Sequence, residues 1–117
     1  MNIESGLDYF NVVFATKYGI KEAIIFQYLC HELKDDERWK RTNNRQFFDN
    51  KYWFSITQDE LLEKFSYMKN RIAIRTILQN LKEQGLIETA NFNKTKYDKT
   101  SWYSLTEKGE AVYEELF

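Results

Sequence analysis

Ile74, Ile77, Leu78 and Leu81 recur at spacings of three, four and seven, which puts them on one face of a helix. Gly85 follows as a residue suited to a left-handed helix stop, and Asn70 stands where an N-terminal cap belongs. A helix over 70–84 is therefore predicted. On its wheel Lys69, Ile72, Thr76, Gln79 and Glu83 point away from the core, with Arg71 and Arg75 towards one flank. A shorter helix is predicted before it, over 57–65. Thr57 and Glu60 have capping-box spacing, Ile56 and Leu61 the spacing of a hydrophobic staple, and Leu61, Leu62 and Phe65 an apolar face. Ser66 to Lys69 is the break between the two. Beyond Gly85 the pattern turns strand-like: Leu86 to Thr89 and Ser101 to Leu105 flank a polar, lysine-rich stretch from Asn93 to Thr100. A hairpin spanning 86–105 is expected.

Upstream, Ile24, Ile25, Tyr28, Leu29 and Leu33 form the stripe of a helix over 21–34, and Ala23, Phe26 and Cys30 widen it almost all round. Such a helix is either central or shared with a partner chain. Leu7 to Tyr18 is apolar and aromatic. A short helix from about Tyr9 is expected there, with Phe10, Val13, Phe14 and the stem of Lys17 on one face, although Tyr9 to Phe14 also fits a strand. Gln46 to Phe48 and Lys51 to Phe54, joined through Asp49-Asn50, read as a second hairpin. Trp53, Trp102, Tyr52 and Tyr103 alternate along their strands and are expected to pack in the core or across strands. After Leu105, Thr106 caps a last helix over 107–116, with Val112, Tyr113, Leu116 and Phe117 facing inward or facing a second subunit. Together these elements make an α+β winged helix-turn-helix. It is mainly helical, with a β-hairpin wing and a second short hairpin, in a single domain over 1–117.

Charge changes this picture less in total than in distribution. Seventeen Lys and Arg stand against eighteen Asp and Glu, a net charge of −1 over 117 residues. Between Lys69 and Lys99, however, seven basic residues face three acidic ones (Glu83, Glu88 and Asp98). That local excess of four positive charges leaves the remainder acidic and fits a modest basic face. The functional reading places Lys69, Asn70, Arg71, Ile72, Arg75, Thr76 and Gln79 in a major groove. Arg matches guanine, Gln matches adenine and an apolar side chain meets a thymine methyl. Lys94, Lys96 and Lys99 suit phosphate contact, with Tyr97 stacking or packing at the wing tip.

Other chemistry has little support. The single cysteine, Cys30, offers neither an internal disulfide nor a metal cluster and is expected to be buried. His31, the only histidine, sits where a helix end favours a cation. No Gly-rich phosphate loop, nucleophile–base pair or Cys/His set appears, so no catalytic residue, metal or cofactor is expected. No apolar run approaches the length of a membrane span and the N-terminus lacks the sections of a signal peptide. A cytoplasmic protein that does not engage membranes is the expectation.

Gly19 to Ile24, Tyr52-Trp53-Phe54, Lys82 to Ile87 and above all Asn91 to Tyr103 resemble the winged-helix domain of phage and plasmid replisome-organiser proteins, relatives of the DnaD-type initiation proteins. The resemblance runs from about Gly19 to Tyr103. Its specific part is an Asn-rich wing base joined to a Tyr-Asp-basic-Thr tip and a Trp-Tyr return strand. It implies duplex DNA as partner and replication initiation or regulation as the process. The recognition helix departs from the family in carrying Ile72 and Thr76 where arginines are usual. A shallow salt dependence is then expected, on the order of four phosphate contacts per subunit at most. Many relatives continue into a second domain, and both a fragment and a stand-alone short form stay open. A homodimer built from the N-terminal segment, the C-terminal helix, or both is also expected, as two-fold readers commonly are. The alternative is an interaction module that grips or blocks a host replication protein. Near-neutral charge and 17% aromatic residues suit that use.

Overall fold

The computed structural model describes residues 7–35, 45–98 and 100–117. Its described elements are mixed α and β: five α-helices, one 3-10 turn and a four-stranded antiparallel sheet. The N-terminal helix α1, Val12–Tyr18, starts later than expected because Asn11 caps it, accepting the amide N–H of Phe14 at 2.9 Å. That start also corrects its inward face. Only Phe14 is buried, and Tyr18 four residues on packs beside it, whereas Phe10, Val13 and Lys17 are exposed. The strand alternative is absent from Val12–Tyr18.

Helix α2, Ile20–Lys34, is the centre of the molecule. Ala23, Ile25, Phe26, Leu29 and Cys30 are fully buried, and Phe14 stacks on Phe26 with ring centroids 4.8 Å apart. Phe117 closes over both rings from the C-terminus, at 6.0 and 5.9 Å. The all-round apolar surface of α2 is thus covered within its own chain. Cys30 is buried as expected, and that burial pushes its thiol pKa well above the ordinary range.

Strands β1, Arg45–Phe48, and β2, Lys51–Ile56, form the first hairpin. Its two turn residues, Asp49 and Asn50, both take positive φ (53° and 61°), the conformation that matches the twist of a two-residue hairpin. Helix α3, Gln58–Lys64, carries the expected capping box: the Glu60 amide donates to the Thr57 hydroxyl at 3.0 Å, and the Thr57 amide donates to the Glu60 carboxylate at 3.1 Å. A 3-10 turn, Ser66–Met68, leads to Lys69 and then to α4, Arg71–Glu83. Asn70 caps α4, accepting from the amide of Ala73 at 2.9 Å.

Helix α4 ends as Gly85 allows. With Gly85 at φ 74°, its amide donates to the carbonyl of Lys82 and the Leu86 amide donates to that of Leu81, at 3.0 and 3.1 Å. This paired closure is a Schellman motif, with Leu81 and Leu86 both buried beneath it. Strands β3, Ile87–Ala90, and β4, Ser101–Leu105, form the second hairpin, and α5, Glu107–Leu116, follows a Thr106 cap. Gly109 lets α5 lie against the backbone of Leu86, since a Cβ there would fall 2.0 Å from that carbonyl oxygen. Val112, Tyr113 and Leu116 pack against the core as expected, while Phe117 stays partly exposed.

The strand order is β1-β2-β4-β3, and the sheet has two differently used faces. Phe54 pairs with Tyr103 and Ile87 with Leu105 on the face that joins the helical core. One residue along, Trp53 and Trp102 fall on the other face. There Phe92 fills the space between them, at 5.4 and 5.6 Å from their rings, and Phe48 lies 5.3 Å from Phe92. Tyr52 packs across strands and outside the core. Its register puts it opposite Phe47 at the turn end of the hairpin, where both rings are exposed and lie 4.8 Å apart. Among the described residues no helix is long and apolar enough to cross a membrane.

Candidate nucleic-acid interface

Helix α4 turns Ile74, Ile77, Leu78 and Leu81 inward, so geometry alone sends its remaining positions outward. Arg71, Ile72, Arg75, Thr76 and Gln79 are all exposed, and Ile72 reaches 69%. An isoleucine that free is not explained by packing. The turn before the helix is tight: Lys69 sits at φ 82° and ψ −50°, and the Asn70 amide donates to the carbonyl of Met68 at 3.1 Å. This γ-turn with positive φ is a strained arrangement for a side-chain-bearing residue. It sets Lys69 out in solvent beside the first turn of α4.

Several outward groups already have partners. The side-chain oxygen of Asn70 serves as the cap. Arg71 Nε lies 3.1 Å from a carboxylate oxygen of Asp59 on α3, with both side chains largely exposed. The Thr76 hydroxyl donates to the carbonyl of Ile72 at 2.9 Å, and the Gln79 amide donates to Glu83 at 3.1 Å. Arg75 is exposed on the same face. It lines a cleft of about 400 Å³ together with Arg71, Thr57, Asp59, Thr100 and Ser101. The cleft brings the start of α3, the start of α4 and the return strand of the second hairpin to one place.

The hairpin connection is built around Asn93. Its amide donates to the carbonyls of Asp98 and Thr100 at 2.9 and 2.7 Å, and its oxygen accepts the indole N–H of Trp102 at 2.9 Å. One side chain thereby ties both ends of the connection to the second aromatic layer. The tip beyond it is left to solvent: Lys94, Lys96 and Tyr97 are exposed, Tyr97 at 81%. The Lys96 ammonium lies 5.4 Å from the centre of the Tyr97 ring, a cation–π distance. Lys99 lies outside the described residues. Asp98 is an acid within this basic tip. The Thr100 hydroxyl, and then its backbone amide, hold the Asp98 carboxyl below the ordinary range.

Of the residues expected at the site, those of α4 and the described ones of the hairpin tip occur as two separate exposed groups; the cleft holds Arg71 and Arg75 of the first and reaches only the base of the hairpin, at Thr100 and Ser101. Asp59, Thr57, Thr100, Ser101 and Asn93 were not foreseen there. Thr57 and Asp59 meet Thr100 and Ser101 only through tertiary packing of separate segments, and the capping-box spacing that marks Thr57 speaks of a helix start and not of a site. Asn93 did carry a signal: an asparagine flanked by a polar loop and followed nine positions later by tryptophan. Among the described residues no group of three or more His, Cys, Asp or Glu side chains is placed to hold a metal. Comparison with protein-family models, with curated proteins and with solved structures gives no match.

Proposed function

We propose that this chain is a winged helix-turn-helix protein that binds duplex DNA, with α4 as the recognition helix and the β3–β4 hairpin as the wing. The observation that carries the reading is the outward face of α4. Arg75 and a 69%-exposed Ile72 stand free of the core there, beside a cleft shared with the base of the hairpin. Arg75 suits a guanine edge, Ile72 a thymine methyl, and Lys94 and Lys96 suit phosphates. The process proposed is replication initiation or regulation of the phage or plasmid type, on the resemblance of the Asn91 to Tyr103 stretch to replisome organisers. The test is a titration of random-sequence duplex across salt. Binding with a slope corresponding to about four contacts or fewer per subunit is expected. No complex at low salt would sink the DNA reading.

Assembly belongs to the same proposal. Leu7, Tyr9, Val12, Val13 and Ile20 are exposed large apolar residues on the N-terminal segment and the start of α2. They supply an apolar surface for a homodimer, while the interior of α2 does not. Sedimentation at tens of micromolar is expected to give a dimer, and a monomer there removes this part.

One observation favours the second reading, an interaction module directed at a host replication protein. Ile72 is apolar where a phosphate-binding face gains most from cations, and Arg71 is already paired with Asp59. On that reading Ile72→Asp abolishes a protein complex, duplex binding is unmeasurable at low salt, and Arg75→Ala and Lys96→Ala have no effect.

A further inference from the structure

We infer that Asp59 regulates the grip of this face on the DNA backbone by occupying Arg71, so that the cleft between α3, α4 and the hairpin base takes a phosphodiester only by displacing a carboxylate. The inference rests on the duplex-binding reading given above. Among the described residues the charged ones lining the cleft are Arg71, Arg75 and Asp59, and its polar lining includes Thr57, Thr100 and Ser101. Two guanidiniums beside several hydroxyls suit a phosphate, since each phosphate oxygen needs donors and the pair of cations neutralises its charge. Asp59 is, among the described residues, the one carboxylate in that lining. Its neighbour Glu60 is turned back to the Thr57 amide by the capping box.

The strength of the Asp59–Arg71 pair decides what it can do. With side chains 60% and 70% exposed, the pair is screened by water and salt and is readily exchanged. It is therefore a competitor for phosphate and not a lock. Releasing Arg71 also leaves the Asp59 carboxylate beside an incoming anion. Every duplex meets this penalty alike, because no base is read by it. Asp59 thus lowers binding to DNA of any sequence and leaves the exposed outer positions of α4 to supply base preference.

Asp59→Asn keeps the size of the side chain and removes its charge. Titrated with random-sequence duplex, it is expected to bind more tightly than the unaltered chain. Its salt slope should be steeper by about one unit, so the gain shrinks roughly threefold over a fourfold rise in salt. Arg71→Ala in the Asp59→Asn background is expected to abolish the gain, and Arg71→Ala alone is expected to bind no more tightly than the unaltered chain. Asp59→Glu, which retains the charge, is expected to bind like the unaltered chain. If the unaltered chain binds duplex and Asp59→Asn matches it in affinity and slope, the inference is overturned and the DNA reading stands. A gain that survives Arg71→Ala overturns it too, as does tighter binding from Arg71→Ala alone. If no variant binds at low salt, the DNA reading itself fails.

Discussion

Helices α2 and α4 are of similar length and are used in opposite ways. Ten of the fifteen residues of α2 are buried, against four of the thirteen in α4. Helix α2 is committed to the interior: Phe14 and Phe117 cover one side of it, while Phe54 and Phe65 both meet Tyr28 on another, at 6.2 and 5.3 Å. Even its buried Glu22 is held from α4, by the Asn80 amide at 3.2 Å. Helix α4 buries one stripe against that interior and leaves the rest of its surface unclaimed by packing. Residues on a helix surrounded by its own chain answer to stability. Residues on a one-sided helix are free to answer to something else.

Substitutions that separate stability from binding break or sharpen this contrast. The largest effect is expected in α2. Ile25→Ala, at a fully buried position, should cost about 2–5 kcal/mol in urea unfolding. Ile72→Ala on the outer face of α4 should stay within about 0.5 kcal/mol. Equal losses would mean that the outer face of α4 is also part of the core.

A smaller loss is expected at the junction of the second hairpin. Asn93→Ala strands the indole N–H of Trp102 and two loop carbonyls, a cost of about 1–3 kcal/mol. Amide exchange over 94–98 should speed up while the amides of α2 keep their protection. Uniform loss of protection across both regions would show that the hairpin and the core unfold as one unit.

The smallest change in stability, with a clear change in binding, is expected at Arg75. Arg75→Ala should leave the urea midpoint almost unmoved. On duplex DNA it should cost about 1–3 kcal/mol and relax base preference if the guanidinium reads a guanine. An unchanged titration curve would count against the proposed role of α4.

Local chemistry made much of this arrangement legible in the residues. Capping signals at Thr57, Asn70 and Thr106 act within one turn of chain, so spacing alone located the starts of α3, α4 and α5. The stripe of Ile74, Ile77, Leu78 and Leu81 likewise determined which side of α4 faces out, and with it the exposure of Arg71, Ile72, Arg75, Thr76 and Gln79. In the short N-terminal stretch the same kind of spacing misleads. Phe10 and Val13 look like core residues, yet hydrophobicity cannot say which apolar side chains near a short helix are covered, and of this face only Phe14 is buried. Nor could composition tell whether the all-round apolar α2 was shared with another chain or covered by its own.

Tertiary structure alone decided the rest. Strand register carried Tyr52 to an exposed hairpin end and put Trp53 and Trp102 on the sheet face away from the helices, because a one-residue step reverses the direction of a side chain. It also brought Asp59 to Arg71, and Thr100 and Ser101 to Arg75. Those pairs join residues from separate elements, and their distances follow from how α3, α4 and the hairpin pack. No local rule of spacing reaches that far.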